Sequence, residues 1–351
     1  MNIGLDISNL TSYNPTGVGV YVANLCKALS AHSEINAYGF FRISRIKHFQ
    51  TIKKLSGLKY NFPYIPYIHP PIQLFHGPDF WVPAPTGFYK KVITIHDLAI
   101  YHPEFYEADR IAYSVPIFEK IILQRHIDHY IFVSKSVENE FIERFPSLNG
   151  KTSVVYHGAD HFGVKSIIPS TRNFPYIAYV GTIEKRKNVS TLIQAFAIIA
   201  EKNKEVQLII SGKLGNDGDT ILKAIPSHLQ SRIQYLGYLP KNEAVSLVKN
   251  ALFFVYPSVY EGFGFPIIEA MSLGTPVLTS SFGAMKEIAG NAAQLCNTHD
   301  IEELSNAINL LINNETLRKQ LSEKGMEHAA QFTWDKCALQ TIQVYNKVLS
   351  Q

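Results

Sequence analysis

Short apolar runs alternate with amphipathic stretches along the whole chain. The runs in the first half are NIGLDIS, NAYGFF, VITIHD, HYIFVS and SVVYHG, and those in the second half are YIAYVG, VQLIIS, IQYLG, LFFVYP and PVLTS. They lack the polar alternation of a strand with one solvated face, which is typical of parallel strands covered by helices on both faces. We therefore predict an α/β fold with two Rossmann-like, doubly wound parallel-sheet domains.

Helical spacing fills the segments between these runs. It predicts helices over residues 18–29, 137–145, 189–201, 241–251, 301–313, 315–331 and 334–349. The stretch GVKSIIPSTRNFP, residues 163–175, has the composition of a linker. We place one domain at residues 1–168 and a second at 169–335, with a final helix, about 336–351, packing back on the first. Because ligands bind at the carboxyl ends of parallel strands, we expect the site in the cleft between the domains.

Length, charge and cysteine usage narrow the class of protein. At 351 residues the chain is longer than a single hydrophobic core usually organises, which indicates two domains. Its net charge of +4 is compatible with an anionic ligand but is too small for a nucleic-acid-binding protein. The N-terminus MNIGLDISNL lacks the basic residues of a signal peptide, and no apolar run reaches the ~20 residues that cross a bilayer. Cys26, Cys296 and Cys337 form no CxxC pattern, which predicts buried thiols in a reducing compartment. We expect a cytoplasmic protein.

Polar residues follow two predicted strands of the first half. Gly17 and Gly19 in TGVGVYVANL lie where a helix begins, so the backbone there can approach an anion, although a tight structural turn fits equally well. His96 and Asp97 directly follow the strand VITI. They either meet substrate or cap the next loop, and the sequence leaves both interpretations open.

Two patterns that resemble metal sites lack supporting chemistry. HGADH, residues 157–161, pairs two histidines without a nearby carboxylate. DGD, residues 217–219, lies in the Gly-rich loop GKLGNDGDT, where Asp and Gly are ordinary turn residues. We therefore predict no metal site.

A run of cations precedes a helix in YVGTIEKRKNVSTLIQAF. Lys185, Arg186 and Lys187 are unfavourable beside the positive end of a helix dipole unless an anion lies between them. Phosphate groups would satisfy both the side chains and the helix N-terminus. The loop therefore predicts a phosphate site.

Two glutamates lie in the largely apolar stretch VYEGFGFPIIEAMSLGTPVLTS. Glu261 falls in the turn after the strand LFFVYP, and Glu269 falls about one turn into the following helix, at whose start Pro266 is favoured. The carboxylates and the backbone N–H groups of residues 262–265 should converge on one space. Such a set of acceptors and donors suits a polyhydroxylated ligand, whereas a capping role for one glutamate is the alternative.

The segment RISRIKHFQTIKKL, Arg42 to Leu55, has an apolar residue at every third position and cations between them. This pattern predicts either contact with an anionic membrane or acidic acceptor, or a surface helix packed on its own domain.

Together these motifs resemble the GT-B fold glycosyltransferases of family GT4, in particular the mannosyltransferase-like branch that builds surface polysaccharides such as lipopolysaccharide. The match rests on E-x7-E at Glu261–Glu269 followed by AMSLGTPVLTS, on GTIEKRKN, and on GYLP at 237–240. It also includes VSKS at 133–136, HDL after a strand, the TGVG loop, and FTWDKCA from Phe332. The resemblance covers nearly the whole chain.

The resemblance implies a role for each residue of these motifs. His96 lies beside the sugar and acceptor, Arg186 and Lys187 neutralise the donor diphosphate, and Glu261 binds sugar hydroxyls. The other donor-binding residues are Gly17, Gly19, Thr182, Gly237, Tyr238, Leu239, Gly262, Phe263, Gly264, Phe265 and Glu269, the last on the ribose. Thr182 stands where some relatives have arginine. Neutralisation of the diphosphate would therefore fall to Arg186 and Lys187.

The implied activity is retaining transfer without an essential metal or other cofactor. The expected substrates are a sugar nucleotide, with GDP-mannose favoured over dTDP-rhamnose or a UDP-hexose, and a glycan or lipid-linked acceptor. No nucleic acid is expected as a partner, and peripheral contact with the inner membrane face through Arg42–Leu55 stays one of the two alternatives for that segment. A retaining glycosidase fits badly because its two carboxylates must flank the scissile bond. A non-catalytic nucleotide-sugar-binding partner protein is the other alternative.

Overall fold

The computed structural model describes residues 1–13, 16–65, 70–83, 89–160 and 172–351. The chain divides into two compact units. Unit 1 comprises Met1–His161 with Phe332–Gln351, and unit 2 comprises Phe162–Gln331. The predicted boundary at residues 168 and 169 and most of the predicted linker lie outside the described residues, so the exact domain limits stay a prediction.

Seven strands form the parallel sheet of unit 1 in the part of the chain that is described, in the order β3-β2-β1-β4-β5-β6-β7. Their bounds are β1 Asn2–Asp6, β2 Asn36–Phe41, β3 Tyr60–Pro63, β4 Leu74–Gly77, β5 Lys90–Ile95, β6 His129–Phe132 and β7 Thr152–Val154. The direction of winding reverses between β1 and β4. The loops that leave these two strands therefore flank a topological switch point, where ligands of such sheets bind.

Helices cover both faces of this sheet. They are α1 Gly17–Ser30, α2 Phe49–Ser56, α3 Ala108–Gln124, α4 Lys135–Arg144 and α12 Trp334–Leu349. The final helix α12 packs against α1. Its Tyr345 hydroxyl lies 2.6 Å from Nδ1 of the buried His76, whose Nε2 lies 2.8 Å from the Thr94 hydroxyl. This hydrogen-bonded chain fixes the C-terminal helix to β4 and β5.

Unit 2 contains a second parallel sheet, in which six described strands follow the order β10-β9-β8-β11-β12-β13. Their bounds are β8 Tyr176–Val180, β9 Gln207–Ser211, β10 Ile233–Tyr235, β11 Phe253–Tyr256, β12 Val277–Ser280 and β13 Gln294–Cys296. The winding reverses between β8 and β11, which are hydrogen-bonded neighbours. Residues that follow these two strands must therefore lie close together.

The helices of unit 2 also cover both faces. They are α5 Val189–Ala200, α6 Gly218–Lys223, α7 Lys241–Lys249, α8 Phe265–Ser272, α9 Gly283–Ala289, α10 Ile301–Asn313 and α11 Glu315–Ala329. The helix α5 packs against α10, and α8 packs against α11. Buried aliphatic and aromatic side chains such as Ile209, Phe254 and Leu278 fill the sheet between them.

The predicted fold class is confirmed, with two parallel α/β sheets, but individual elements differ. The strands β3, β4 and β13 and the helices α3, α6 and α9 were not predicted. The segment Arg42–Leu55, for which a surface helix was one of two alternatives, is not one continuous α-helix. A 3₁₀ turn spans Ile43–His48, α2 begins at Phe49, and the two do not form one helical face.

Candidate active site

The loop after β8 presents its cations in an ordered turn. Lys185–Lys187 form one 3₁₀ turn, which ends at Asn188 in the left-handed conformation with φ 58°. The Asn188 side chain donates to the Thr298 carbonyl at 2.7 Å and accepts from the Thr191 hydroxyl at 2.6 Å, and these bonds hold the unusual backbone. Lys187 is buried and Lys185 is exposed, so the turn separates the two lysines.

The loop after β11 lies against this turn. The Val259 amide donates to the Arg186 carbonyl at 2.8 Å, and the Ser258 hydroxyl lies 2.9 Å from the same carbonyl oxygen. Gly264 has φ 94°, a conformation that favours glycine, and α8 begins at the next residue. The two loops therefore form one bonded unit at the switch point of the sheet.

Glu261 is the centre of a hydrogen-bonded cluster in this unit. Its Oε1 contacts the Lys187 ammonium and accepts from the Tyr256 hydroxyl at 2.7 Å. Its Oε2 accepts from the Arg186 guanidinium at 3.1 Å. Tyr256 in turn accepts from Lys187 at 2.9 Å, so the phenol bridges cation and carboxylate. The Ser258 hydroxyl is 2.9 Å from Oε1, although its single hydrogen serves only one acceptor at a time.

The cluster keeps Glu261 ionised. Burial alone would raise the pKa of Glu261, but the charges of Lys187 and Arg186, with hydrogen bonds from Lys187 and Tyr256, lower the pKa to about 2. Burial lowers the pKa of Lys187, and so does the charge of the neighbouring Arg186. The charge of Glu261 raises this pKa but does not fully offset the lowering. Burial also raises the pKa of Tyr256, so its phenol stays neutral and can donate.

A second carboxylate completes the charge balance. Glu184 Oε1 lies 2.7 Å from Arg186 Nε. Two cations thus face two carboxylates, and the cluster carries no net charge of its own. A diphosphate that approaches it would meet cations already oriented by protein carboxylates, which is the preorganisation that stabilises a developing negative charge.

Glu269 lies apart from this cluster, on α8. Burial raises the pKa of Glu269 to about 7, and the Lys241 charge opposes the rise only in part. A carboxyl group with this pKa changes its protonation near neutral pH. Its hydrogen-bonding capacity towards hydroxyl groups therefore depends on pH.

The loops after β8, β9 and β10 are in direct backbone contact with one another. Gly212 has φ 153°, and a Cβ on it would lie 1.7 Å from the Gly181 carbonyl oxygen, so only glycine fits. The Gly212 amide donates to the Gly237 carbonyl at 3.0 Å. Tyr238 is 50% exposed, and the Lys213 ammonium lies 5.0 Å from the centre of its ring. Leu239 and Thr182 are half-buried at the same edge.

The predicted site residues of unit 1 lie at the carboxyl edge of its sheet. Gly17 and Gly19 belong to the first turn of α1 and not to a loop, because the Thr16 side chain caps the helix by accepting from the Gly19 amide at 3.4 Å. His96 Nε2 lies 2.8 Å from the Pro78 carbonyl. Since a carbonyl only accepts, Nε2 is the donor of this hydrogen bond.

Comparison with known proteins identifies the family. Residues 165–328 match the family described as glycosyl transferases group 1. The O-antigen chain mannosyltransferase B of Escherichia coli is 31% identical over 284 residues, which cover 78% of this chain and 74% of that protein.

The chain belongs to the group 1 glycosyltransferases.

Other relatives agree with this assignment. The serotype-specific mannosyltransferase WbdA of Escherichia coli is 27% identical over 78% of this glycosyltransferase, although the match covers only 36% of WbdA. Sucrose-phosphate synthase of Thermosynechococcus elongatus has the same fold, with a TM-score of 0.74 and 22% identity over 100% of this chain and 99% of its own. Anabaena HepE, solved with UDP and glucose, has a TM-score of 0.73 and 18% identity, and the match covers 99% of this chain and 100% of HepE. The GT-B fold class is thereby confirmed.

The structure of the glycosyltransferase unites some of the predicted residues and leaves others apart. Arg186, Lys187 and Glu261 are in direct contact. Residues 262–265 and Glu269 continue from the same loop into α8, and residues 237–239 lie at the same sheet edge. Gly17, Gly19 and His96 belong to unit 1, so their approach to the donor stays a prediction.

Several residues in or beside the candidate site were not predicted. Tyr256 at the end of β11 and Ser258 contact Glu261, Glu184 contacts Arg186, and Lys213 lies over the Tyr238 ring. The segment VYPSVYEG places the hydroxyl-bearing residues Tyr256 and Ser258 five and three positions before Glu261. This spacing is the sequence signal that could have indicated their contact with Glu261.

The predictions on metals and cysteines can be compared with the described residues only. Within residues 1–13, 16–65, 70–83, 89–160 and 172–351, no group of three or more His, Cys, Asp or Glu side chains is placed to hold a metal ion. His161 of the HGADH pattern lies outside them, and the metal-free reaction stays a prediction. All three cysteines are buried and free, as predicted. In the same described part of the chain, no helix combines the length and apolarity that crossing a membrane requires.

Proposed function

We propose that this glycosyltransferase moves a hexose, with mannose from GDP-mannose as the first candidate, to a glycan or lipid-linked acceptor in surface polysaccharide synthesis. We further propose that it retains the anomeric configuration, needs no metal and acts in the cytoplasm at the inner face of a membrane. The observation that carries the proposal is the contact of Arg186 and Lys187 with Glu261 at the switch point of unit 2. The mannosyltransferase relatives favour mannose over rhamnose or glucose.

The main chemical task is to stabilise the departing nucleoside diphosphate. As the bond from the anomeric carbon to the phosphate oxygen breaks, negative charge builds on the diphosphate beside Arg186 and Lys187. The acceptor hydroxyl attacks the same face of the sugar, its oxygen bonds to the anomeric carbon, and its proton passes to the departing phosphate oxygen. Stabilisation of this type by one preorganised donor changes rates by about 10²–10³-fold.

Glu261 contributes as an acceptor and an anchor, not as a nucleophile. Its Oε1 already contacts Lys187 and accepts from Tyr256, while Oε2 accepts from Arg186. We therefore assign the donor-sugar hydroxyl to Oε2. Glu269 takes the ribose hydroxyls, and the loop 237–239 takes the base, where the Tyr238 ring offers a stacking surface.

A thermal-shift panel tests the donor assignment. A ligand that binds only the native state raises its melting temperature. GDP should raise the melting temperature more than UDP or dTDP at equal concentration, and GDP-mannose should release GDP in the presence of EDTA. A larger shift with dTDP or UDP would replace mannose by a rhamnosyl or glucosyl donor.

The second alternative, a non-catalytic nucleotide-sugar-binding protein, is not favoured, because the relatives are named as enzymes. It would be supported if nucleotide binding occurred with no turnover of any sugar nucleotide in the panel.

A further inference from the structure

Positive charge is concentrated in the first part of unit 1. Between Ile7 and Pro78 the sequence has seven Lys or Arg side chains and one carboxylate, Glu34. The whole chain has a net charge of only +4, so the remainder is net negative. A local excess of this kind attracts an anionic partner to one region of the protein.

Two isoleucines project from the middle of this basic region. The 3₁₀ turn Ile43–His48 leaves Ile43 57% exposed and Ile46 54% exposed. Residues three apart in a 3₁₀ turn lie on the same side, so the two side chains form one apolar ridge. Arg45 and Lys47 are exposed beside them. Isoleucine is among the residues most often buried, and a pair of this exposure is therefore informative.

The helix α2, which directly follows this turn, adds exposed cations and aromatic rings nearby in the chain. Its Ile52 is fully buried against the unit, whereas Lys53 and Lys54 are exposed. The Lys54 ammonium lies 5.3 Å from the ring centre of Tyr13, which is itself 59% exposed. A shallow depression beside the helix is lined mainly by Phe49, Lys53, Lys59 and Tyr60.

We propose that this surface docks unit 1 on an anionic lipid bilayer. We name it the basic apolar surface and define it by Ile43, Ile46, Lys47, Lys53, Lys54 and Tyr60. A bilayer offers anionic headgroups and an apolar phase within a few ångströms of each other, and this surface offers exposed cations together with an exposed apolar ridge. A soluble acidic polymer would satisfy the cations and leave the isoleucines in water.

The position of the surface adds a functional consequence. The turn Ile43–His48 follows β2, whose carboxyl end lies at the same edge of the sheet as the start of α1 and His96. A membrane-anchored acceptor would therefore arrive at the edge where acceptor chemistry is placed. This consequence rests on the proposed function, whereas the docking itself does not.

Vesicle flotation of the purified full chain tests the proposal. The protein should float with vesicles of phosphatidylcholine and phosphatidylglycerol, about seven to three, and stay in solution with phosphatidylcholine alone. The double variant Ile43→Ser/Ile46→Ser should bind the anionic vesicles roughly tenfold less well, because two aliphatic side chains no longer enter the bilayer. Lys47→Ser and Lys54→Ser should each lower binding about fivefold, the factor expected for one cation near an anionic surface.

Matched controls separate docking from general effects. Leu123→Ser/Ile198→Ser removes two apolar side chains of equal exposure, 58% and 56%, and Lys202→Ser removes an exposed lysine of unit 2. Both should bind like the unaltered chain. All variants should keep their melting temperature and their thermal shift with GDP, which reports the donor site and not the membrane.

Two outcomes would overturn the proposal. The first is vesicle binding that neither the isoleucine pair nor the lysines affect. The second is binding to a soluble acidic polysaccharide that depends on the lysines but not on the isoleucines, which would make the partner an acidic polymer.

Discussion

Replacing Glu261 with glutamine tests what holds the two cations in place. The change keeps the size of the side chain but removes the charge that faces Lys187 and Arg186. Without a ligand, the buried Lys187 and the half-buried Arg186 would then have only Glu184 as a nearby carboxylate. We therefore expect Glu261→Gln to destabilise the free protein and to strengthen its need for an anion.

The magnitude follows from the burial of the pair. Removing one partner of a buried ion pair costs about 3–5 kcal/mol, and the glutamine oxygen still accepts one bond, so we expect about 3 kcal/mol. For a unit of this size, 1 kcal/mol lowers the melting temperature by about 2–4 °C, which gives a fall of about 6–12 °C. The stabilisation from Glu261, with its pKa lowered to about 2 from 4.5, is present above pH 4.5 and lost as the pH falls towards 2. The variant should lack this acid-dependent loss.

Differential scanning calorimetry with and without nucleotide provides the assay. GDP should raise the melting temperature of Glu261→Gln more than that of the unaltered protein, because its phosphates replace the lost carboxylate. Guanosine, which has no phosphate, should not. Glu323→Gln, an exposed carboxylate on α11, is the matched control and should change neither value. A melting temperature within about 2 °C of the unaltered protein, or equal gains from GDP, would refute the reasoning.

Three further predictions follow from the geometry. Because burial raises the pKa of Glu269 to about 7, GDP affinity should rise with pH below that pKa, by up to about tenfold per pH unit. Calorimetric titrations between pH 5.5 and 7.5 measure this dependence, and Glu269→Gln should abolish it. Tyr256→Phe removes the hydroxyl that bridges cation and carboxylate, and urea unfolding should show a loss of about 1.5–3 kcal/mol. Gly212→Ala places a Cβ 1.7 Å from the Gly181 oxygen and should cost about 3 kcal/mol or more. Gly150→Ala, with positive φ but open space, should cost only about 1–2 kcal/mol.

The fold could be predicted where the pattern was strong. Ten buried apolar runs matched strands because parallel strands covered on both faces leave a continuous apolar signature. The helix α3 was missed because Pro116 interrupts its pattern, although the helix continues through it. The strand β4 was missed because LFHG is short and contains a histidine, whose ring is buried only because Tyr345 and Thr94 satisfy it.

The charged residues of the candidate site could be predicted from the sequence, whereas its hydroxyl-bearing residues could not. Arg186 and Glu261 stand out in sequence because cations and carboxylates in apolar surroundings require a reason. The phenol of Tyr256 does not stand out, because a tyrosine at a strand end usually indicates packing. Its function depends on Lys187, which is 69 residues away and reaches it only through the pairing of β8 with β11.

The segment Arg42–Leu55 shows how one apolar pattern can divide between two elements. Its apolar residues recur every three positions, which is the period of a 3₁₀ turn and not of an α-helix. The structure follows that period over Ile43–His48 and changes to an α-helix at Phe49. The apolar residues therefore divide, with Ile43 and Ile46 exposed and Ile52 buried.

The central claim is that Arg186 and Lys187 take up the charge of the departing diphosphate. The most direct measurement is the rate of nucleotide release from GDP-mannose, with dTDP-rhamnose and UDP-glucose in parallel, in the presence of EDTA. Lys187→Met should lower kcat about 100-fold or more, the effect of losing one preorganised donor. Lys185→Met, in the same turn but exposed, should leave kcat within about twofold, since its charge is in solvent. An unchanged rate for Lys187→Met, or an equal fall for Lys185→Met, would contradict the account.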